Sequence, residues 1–349
     1  MRYLFVGGTG VISSACAAAL TTRGHELTLV TRGRSHTAPP PPGARMIRTD
    51  GRDARAFRAT LSTLASGVRY DAVVQFVGYE PGHVADDVIT FAPRADHYVY
   101  VSTTATYKPP TRFALLAEDA EQENPHWAYA RKKIEAERVL REYADDANLP
   151  YTIVRPAYTY GPTRIPGYVG NSRLPWTIVD RMRRGADIIV PGDGSSIFHL
   201  THARDVATGI AGLLGNEDAF GRAVNVVGEE ALTWNSIYET IAVAAGLTRA
   251  QYAAIALHVP SDAIVASFPE QSGPIYGDRI HSLSYDTSTL RRLVPDFTTS
   301  TPFDQGVRES IAWYEANPER QQVDVEADTL FDDLAYTYRR ALRDSDASS

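Results

Sequence analysis

The chain has 349 residues, 44% of them hydrophobic, enough to bury the core of one large domain or two modest ones. Its formal net charge of −7, without blocks of Lys or Arg, gives no electrostatic reason for a nucleic-acid partner, and no basic amphipathic run suits a membrane surface. A single cysteine, Cys16, excludes an internal disulfide and a cysteine-cluster metal site, and with no signal-peptide pattern and no long apolar run a cytoplasmic protein is expected.

Arg2 to Val6 is an apolar run that reads as a buried strand; Gly7-Gly8-Thr9-Gly10 reads as a tight turn, and Ser13 to Leu20 as a helix of small residues. Strand, glycine turn and helix in this order form a dinucleotide grip. Gly7 and Gly10 let the backbone approach a pyrophosphate, and the amides of Val11 and Ile12 stand at the positive end of the helix dipole. Ser13 replaces the third glycine of the usual fingerprint.

Leu27 to Val30 is a second strand, ending at Thr31-Arg32-Gly33-Arg34. An acidic residue here would bind the ribose 2′-hydroxyl, whereas an Arg accommodates a 2′-phosphate. None is acidic, so Thr31, Arg32 and Arg34 favour NADP over NAD within an NAD(P) requirement; the bland alternative leaves both arginines in solvent. Met46 to Arg48 is a third strand. At its end Asp50 either accepts from the adenine amino group or caps the helix Ala54 to Leu64, for which Asp53 looks the better cap. Asp71 to Val77 is a fourth strand. Its carboxyl end and the loop after it place Phe76, Val77 and Gly78 on the cofactor side, and Tyr79 and Glu80 either line a substrate pocket or sit on an exposed loop.

After the helix His83 to Arg94, the strand His97 to Val101 closes in Ser102-Thr103-Thr104. Strands alternating with helices at this spacing predict an α/β fold, a Rossmann-like, doubly wound parallel sheet. A strong helix then starts at Trp127 and carries Tyr129 and Lys133 four apart on one face. A Lys ammonium beside a phenol favours the phenolate and lowers its pKa from about 10, which makes Tyr129 a general acid/base for a substrate hydroxyl. Thr103 can hydrogen-bond the same substrate oxygen, with Thr104 as the alternative one place on. Taken alone, a Tyr and Lys on a charged helix would read as a solvated face.

With Gly7-Gly8-Thr9-Gly10, Val101-Ser102-Thr103, Tyr129 with Lys133, and Tyr151-Thr152-Ile153-Val154-Arg155-Pro156 followed by Tyr160-Gly161-Pro162, the chain resembles the extended short-chain dehydrogenase/reductase superfamily, in its epimerase/dehydratase-like branch, over roughly residues 1 to 315. The resemblance implies a catalytic trio of Thr103, Tyr129 and Lys133, with Pro156 to Tyr158 beside the nicotinamide. It also allows a homodimer through the Tyr-bearing helix, whose charge equally suits a solvated outer face.

The expected organisation is a dinucleotide-binding domain over 1–160, to which 200–228 returns, and a smaller mixed α/β substrate lobe from 161–199 and 229–317. A charged extension over 318–349 carries one amphipathic stretch, Leu330 to Leu342. Arg164 and Tyr168 are candidate substrate contacts in the lobe. His199 and His202 lack a suitably spaced third ligand, so no metal is expected.

Two departures bear on substrate. Dehydratases of this branch resemble one another in an Asp-Glu pair after the catalytic Thr, where this chain has Thr104-Ala105. Members acting on nucleotide diphosphate sugars place clamping arginines where this chain has Ile197-Phe198 and Ile275-Tyr276, with Arg279 or Arg173 as the alternative clamps. The expected substrate is a sugar or nucleoside without a diphosphate, and the expected reaction epimerisation of a secondary hydroxyl through a transient ketone. A dehydrogenase or reductase of a sugar-like or polyol substrate uses the same trio. Further alternatives are a nucleotide-sugar epimerase and a non-catalytic cofactor-binding sensor.

Overall fold

A computed structural model of the chain describes residues 1–33, 39–62, 68–113, 115–169 and 174–346. Arg34, Leu64 and Arg173 lie outside the described residues. The chain divides into two compact units, the first made of Met1–Thr159, Thr201–Glu229 and Tyr285–Ser300, the second of Tyr160–Leu200, Glu230–Ser284 and Thr301–Ser349.

In the first unit the chain runs β1 (Arg2–Val6), α1 (Val11–Thr22), β2 (Glu26–Thr31), β3 (Arg45–Arg48), α2 (Ala54–Ser62), β4 (Ala72–Gln75), α3 (Pro81–Phe91), β5 (Tyr98–Val101), α4 (Ala128–Asp146) and β6 (Tyr151–Pro156). A strand at Arg222–Val226 completes a seven-strand parallel sheet with the order Arg222–Val226, β6, β5, β4, β1, β2, β3. The order of the strands reverses at β1, so the crevice beyond the carboxyl ends of β1 and β4 is the point where such sheets bind ligands. Every residue of β4, β5 and β6 is buried, because helices cover both faces, and this is why those strands read as largely apolar runs.

One face packs Phe5, Leu29 and Val74 against Cys16, Ala17 and Leu20 of α1 and Val206, Ile210 and Leu213 of the helix Ala203–Leu213. The other packs Leu4, Val6 and Val73 against Phe57 of α2, Val84 and Val88 of α3, and Ala136 and Leu140 of α4. The small residues of α1 permit its close approach, as their pattern predicts. Residues 285–300, grouped with the smaller lobe on sequence, join this unit instead. Leu290, Leu293, Val294 and Phe297 enter the first face, and the Asp286 amide donates to Leu116 O at 2.8 Å.

The second unit holds a parallel strand pair, Ile188–Pro191 with Ala256–Val259, an antiparallel pairing of Ala231–Thr233 with Ile197–His199, and helices at Trp176–Arg183, Trp234–Ala244, Phe303–Ala316 and Val325–Asp346. Trp234 is fully buried, stacked on Phe198 at 4.9 Å and met edge-on by Tyr168 at 5.0 Å. Thr233 caps its helix, accepting from the Ser236 amide at 3.2 Å. The charged C-terminal segment is a helix packed within this unit: Phe331 meets Phe268 at 4.9 Å, and Arg181 is enclosed by Asp328 and Asp332. Among the described residues no helix is long and apolar enough to cross a membrane.

Candidate active site

The turn after β1 sits at the reversal of the sheet and is kept free of side chains by its surroundings. Gly7 has φ +90°, and a Cβ there would stand 2.5 Å from Val77 Cγ1; a Cβ at Gly8 would stand 2.7 Å from Leu29 Cδ2. The bare backbone and the start of the twelve-residue α1 form a cradle suited to a dinucleotide pyrophosphate, with Val11 and Ile12 as its first helical residues. Ser13, in place of the third glycine, is a capping group. Its buried hydroxyl accepts from the Gly10 amide at 2.8 Å and donates to Gly10 O at 3.3 Å.

At the carboxyl edge of β2, Thr31 is buried and its hydroxyl accepts from the Gly33 amide at 3.2 Å, while Arg32 is exposed. Of the two roles open to Asp50, capping falls to Asp53, which accepts from the Ala56 amide at 3.0 Å. Asp50 instead binds Arg52, taking its backbone amide at 3.1 Å and its Nε at 3.2 Å, and this hydrogen bonding holds its carboxyl below the ordinary range.

Beyond β4, Phe76 crosses Phe5 edge-on at 5.0 Å. Gln75, buried at the strand's end, accepts from the Val77 amide at 2.7 Å and donates to buried Asp87 of α3. Tyr98 also donates to Asp87, at 2.8 Å, and burial pushes that carboxyl up to about 7. Gly78 O is the meeting point of the loop: it accepts from Tyr100 Oη at 2.8 Å and from Lys133 Nζ at 3.1 Å.

Lys133 is 1% exposed. Its Nζ also donates to Val101 O at 2.8 Å and lies 4.6, 5.4 and 6.0 Å from the ring centres of Tyr100, Tyr79 and Tyr129. Burial pushes this ammonium down to about 7, against the opposing effect of the Glu137 carboxylate. Tyr129 is half-buried, between Trp127 at 4.9 Å and Tyr79 at 6.4 Å. The fold therefore brings Gly78, Tyr79, Tyr129 and Lys133 together. Glu80 stands at the edge, where its carboxylate pairs with Lys132 Nζ at 2.6 Å.

Thr103 is half-buried and caps the short turn Thr104–Thr106, accepting from the Ala105 amide at 3.2 Å; Thr104 is 4% exposed. Pro156 ends β6 buried, and Tyr158 two residues on is half-buried. Arg164 and Tyr168 belong to the second unit, where Tyr168 is fully buried, its hydroxyl 3.0 Å from Ser261 Oγ and its amide donating to Tyr238 Oη at 3.0 Å. His202 caps the helix Ala203–Leu213, its Nδ1 accepting from the Arg204 amide at 3.2 Å.

The motifs pass over a buried polar cluster behind these residues. Glu137, 0% exposed, binds Arg155 through both oxygens at 3.0 and 2.6 Å and accepts from Ser102 Oγ at 2.6 Å and Gln122 Nε2 at 3.0 Å. Arg155 continues to Tyr107 Oη at 3.0 Å, which donates to Asn225 Oδ1 at 2.6 Å. Buried Asn124 joins Ala105 O (3.1 Å) to the Trp127 amide (3.0 Å). The available signal was Arg155, a charge inside an apolar strand, which demands a buried partner.

A doubly wound parallel sheet, a glycine cradle at its switch point and a Tyr/Lys helix alongside define the extended short-chain dehydrogenase/reductase class of nicotinamide-dependent enzymes. The model of the NAD dependent epimerase/dehydratase family matches residues 3–227, and the chain belongs to that family. It is 29% identical over 256 residues to the chloroplast stem-loop binding protein of 41 kDa b of Arabidopsis thaliana, covering 70% of this chain and 63% of that protein. It is 26% identical over 250 residues to the 2'-dehydrokanamycin reductase of Streptomyces kanamyceticus, covering 70% and 67%. The chain thus spans about two thirds of the length of these curated relatives. Among solved structures, the epimerase Mth375 of Methanothermobacter thermautotrophicus shares the fold with a TM-score of 0.75 at 16% identity, over 92% of this chain and 94% of that one.

Proposed function

We propose that the enzyme epimerises a secondary hydroxyl on a sugar or nucleoside without a diphosphate, through a transient ketone. The observation carrying this reading is the buried Lys133 ammonium, held by two backbone carbonyls 6.0 Å from the Tyr129 ring. When bound, NAD(P) supplies hydride acceptance and donation. Tyr129 takes the hydroxyl proton and later returns it; Lys133, charged and desolvated, favours the phenolate; Thr103 donates to the forming carbonyl. Gly7, Gly10, Val11 and Ile12 hold the pyrophosphate, Asp50 stands on the adenine side, and Phe76, Val77, Gly78, Pro156 and Tyr158 line the nicotinamide half. Tyr79, Glu80 and Thr104 of the first unit face the substrate, whereas Tyr168 is buried within the second unit, bonded to Tyr238 and Ser261, and is not part of this reading. Thr31 and Arg32, without a carboxylate at the end of β2, favour NADP, a preference that Kd values for NADP and NAD measure directly.

The similarity to a protein named for reducing 2'-dehydrokanamycin supports a second reading, in which the ketone and the cofactor are separate exchangeable reactants. Denaturing the purified protein and identifying released nicotinamide separates the two. Stoichiometric retained cofactor supports epimerisation, and an empty protein that oxidises or reduces a sugar with added NAD(P) overturns it. The net charge of −7 opposes a phosphate-backbone partner of the kind named for the Arabidopsis relative.

A further inference from the structure

We propose that Glu137 is a positioning residue that acts through Lys133, its buried carboxylate fixing both the strand end on which Lys133 leans and the negative charge it faces. The proposal rests on the reading of Lys133 given above. Glu137 lies four residues after Lys133 on α4, one turn along the same face. Its oxygens receive donors from four stretches of chain: Ser102 after β5, Arg155 in β6, Gln122 before α4, and Arg141 of α4 itself at 3.1 Å.

Ser102 is the hinge of the argument. The residue before it, Val101, supplies the carbonyl that Lys133 grips at 2.8 Å, and the residue after it is Thr103. The Ser102 amide is already spent on Val154 O at 2.7 Å, so its hydroxyl is free to add a second tie between this strand end and α4, beside Lys133 on Val101 O, and it does so through Glu137. A core ion pair between α4 and β6 would need only Arg155. The groups facing Lys133 are the rings of Tyr79, Tyr100 and Tyr129, the carbonyls of Gly78 and Val101, and, along its own helix, Glu137. Glu137 is the one anion in this set. Without it a desolvated ammonium surrounded by rings and carbonyls gives up its proton more readily.

The chain has three lysines, Lys108, Lys132 and Lys133, so the full-length protein labelled with 13C at lysine Cε gives a resolvable titration, with Lys133→Met assigning the signal. In Glu137→Gln the Lys133 midpoint is expected to fall by about one pH unit or more, and in Glu137→Asp to stay close to the wild-type value. Because Glu137→Gln leaves Arg155 buried without its partner, the double variant Glu137→Gln/Arg155→Gln repeats the test with both charges removed. A folded charge-free variant with an unmoved midpoint overturns the proposal. Failure of both Glu137→Gln and the double variant to fold also overturns it, leaving a structural ion pair. The midpoint is read without turnover, so its outcome is separate from that of the proposed reaction, which Tyr129→Phe tests.

Discussion

Lys133 Nζ lies 6.0 Å from the centre of the Tyr129 ring, the two side chains rising from successive turns of α4. The arrangement costs stability. The ammonium is pressed down to about 7 from 10.5, so between these values the unfolded chain binds the extra proton and stability rises with pH. Below pH 7 the burial penalty is complete. Lys133→Met should therefore gain melting temperature relative to wild type by more at pH 6 than at pH 9, while losing turnover. Tyr129→Phe should lower kcat by about 10²–10⁴-fold with little change in melting temperature. Parallel melting curves for Lys133→Met and wild type across this range would contradict a desolvated ammonium.

The glycine turn separates two kinds of damage. Gly10 has φ −86°, and a Cβ there meets nothing nearer than Ser13 Oγ at 3.5 Å, so Gly10→Ala should fold normally and weaken nicotinamide binding alone. Gly7→Ala places a Cβ at φ +90° against Val77, costing about 1–3 kcal/mol, and pushes on the loop whose Gly78 carbonyl holds Lys133. Calorimetric binding of NADP together with thermal melting checks the split: loss of stability in Gly10→Ala would sink it.

His97 sets an acid limit on the first unit. It is fully buried against Phe220, its Nδ1 accepts from the Gly215 amide at 3.1 Å, and its Nε2 therefore carries the hydrogen toward Thr152 Oγ1 at 2.9 Å. Thr152 passes its own hydrogen to Ala219 O at 2.8 Å, so the chain of bonds admits only the neutral ring. Burial holds the imidazole down to about 4, so the unfolded chain binds more protons between pH 6.5 and 4. Stability is lost as pH falls through that window, by about 3 kcal/mol in full. Asp87, raised to about 7, has the opposite sign and loses its contribution as pH rises from 3.8 toward 7. The difference in melting temperature between wild type and His97→Gln, rather than the wild-type profile alone, should shrink as the solution is acidified.

What could be read from sequence follows from how each signal arises. The strands β1, β4, β5 and β6 are legible because burial on both faces leaves largely apolar runs, and Tyr129 with Lys133 because their spacing matches a helical turn. Ser13 reads as a lost glycine, yet its hydroxyl closes the Gly10 cap, a role visible only in three dimensions. Glu137 stays hidden because α4 is charged along its length, with Arg138 bridging Glu135 and Glu142 on the exposed side, and a carboxylate there looks like one more solvated group. Residues 285–300 join the first unit through Leu290 and Phe297, a long-range contact that local pattern cannot announce.

The C-terminal helix meets the rest of the second unit through a buried charge as well as through a short apolar face. Arg181 is 1% exposed and donates to Asp187 O at 2.9 Å, to Asp332 at 2.7 Å and to Asp328, with its guanidinium 5.2 Å from the Phe331 ring centre. Asp328, Phe331 and Asp332 all come from the helix Val325–Asp346, so a chain ending at Gln322 strands a buried guanidinium with Asp187 O as its remaining acceptor among these groups. Breaking one side of a buried pair costs about 3–5 kcal/mol, whereas removing both sides, with an apolar chain of similar volume in place of the charge, costs little. Truncation at Gln322 should therefore lower the melting temperature sharply, and Arg181→Met in the truncated chain should restore a good part of it. The same Arg181→Met change in the full chain leaves half-exposed Asp332 to be solvated and Asp328 still paired with Arg184, so its effect should be smaller than that of the truncation. If the truncated chain gains nothing from Arg181→Met, then Phe331 against Phe268, with the buried Leu334 and Ala335, holds the helix instead, and Phe331→Ala in the full chain would show the larger loss.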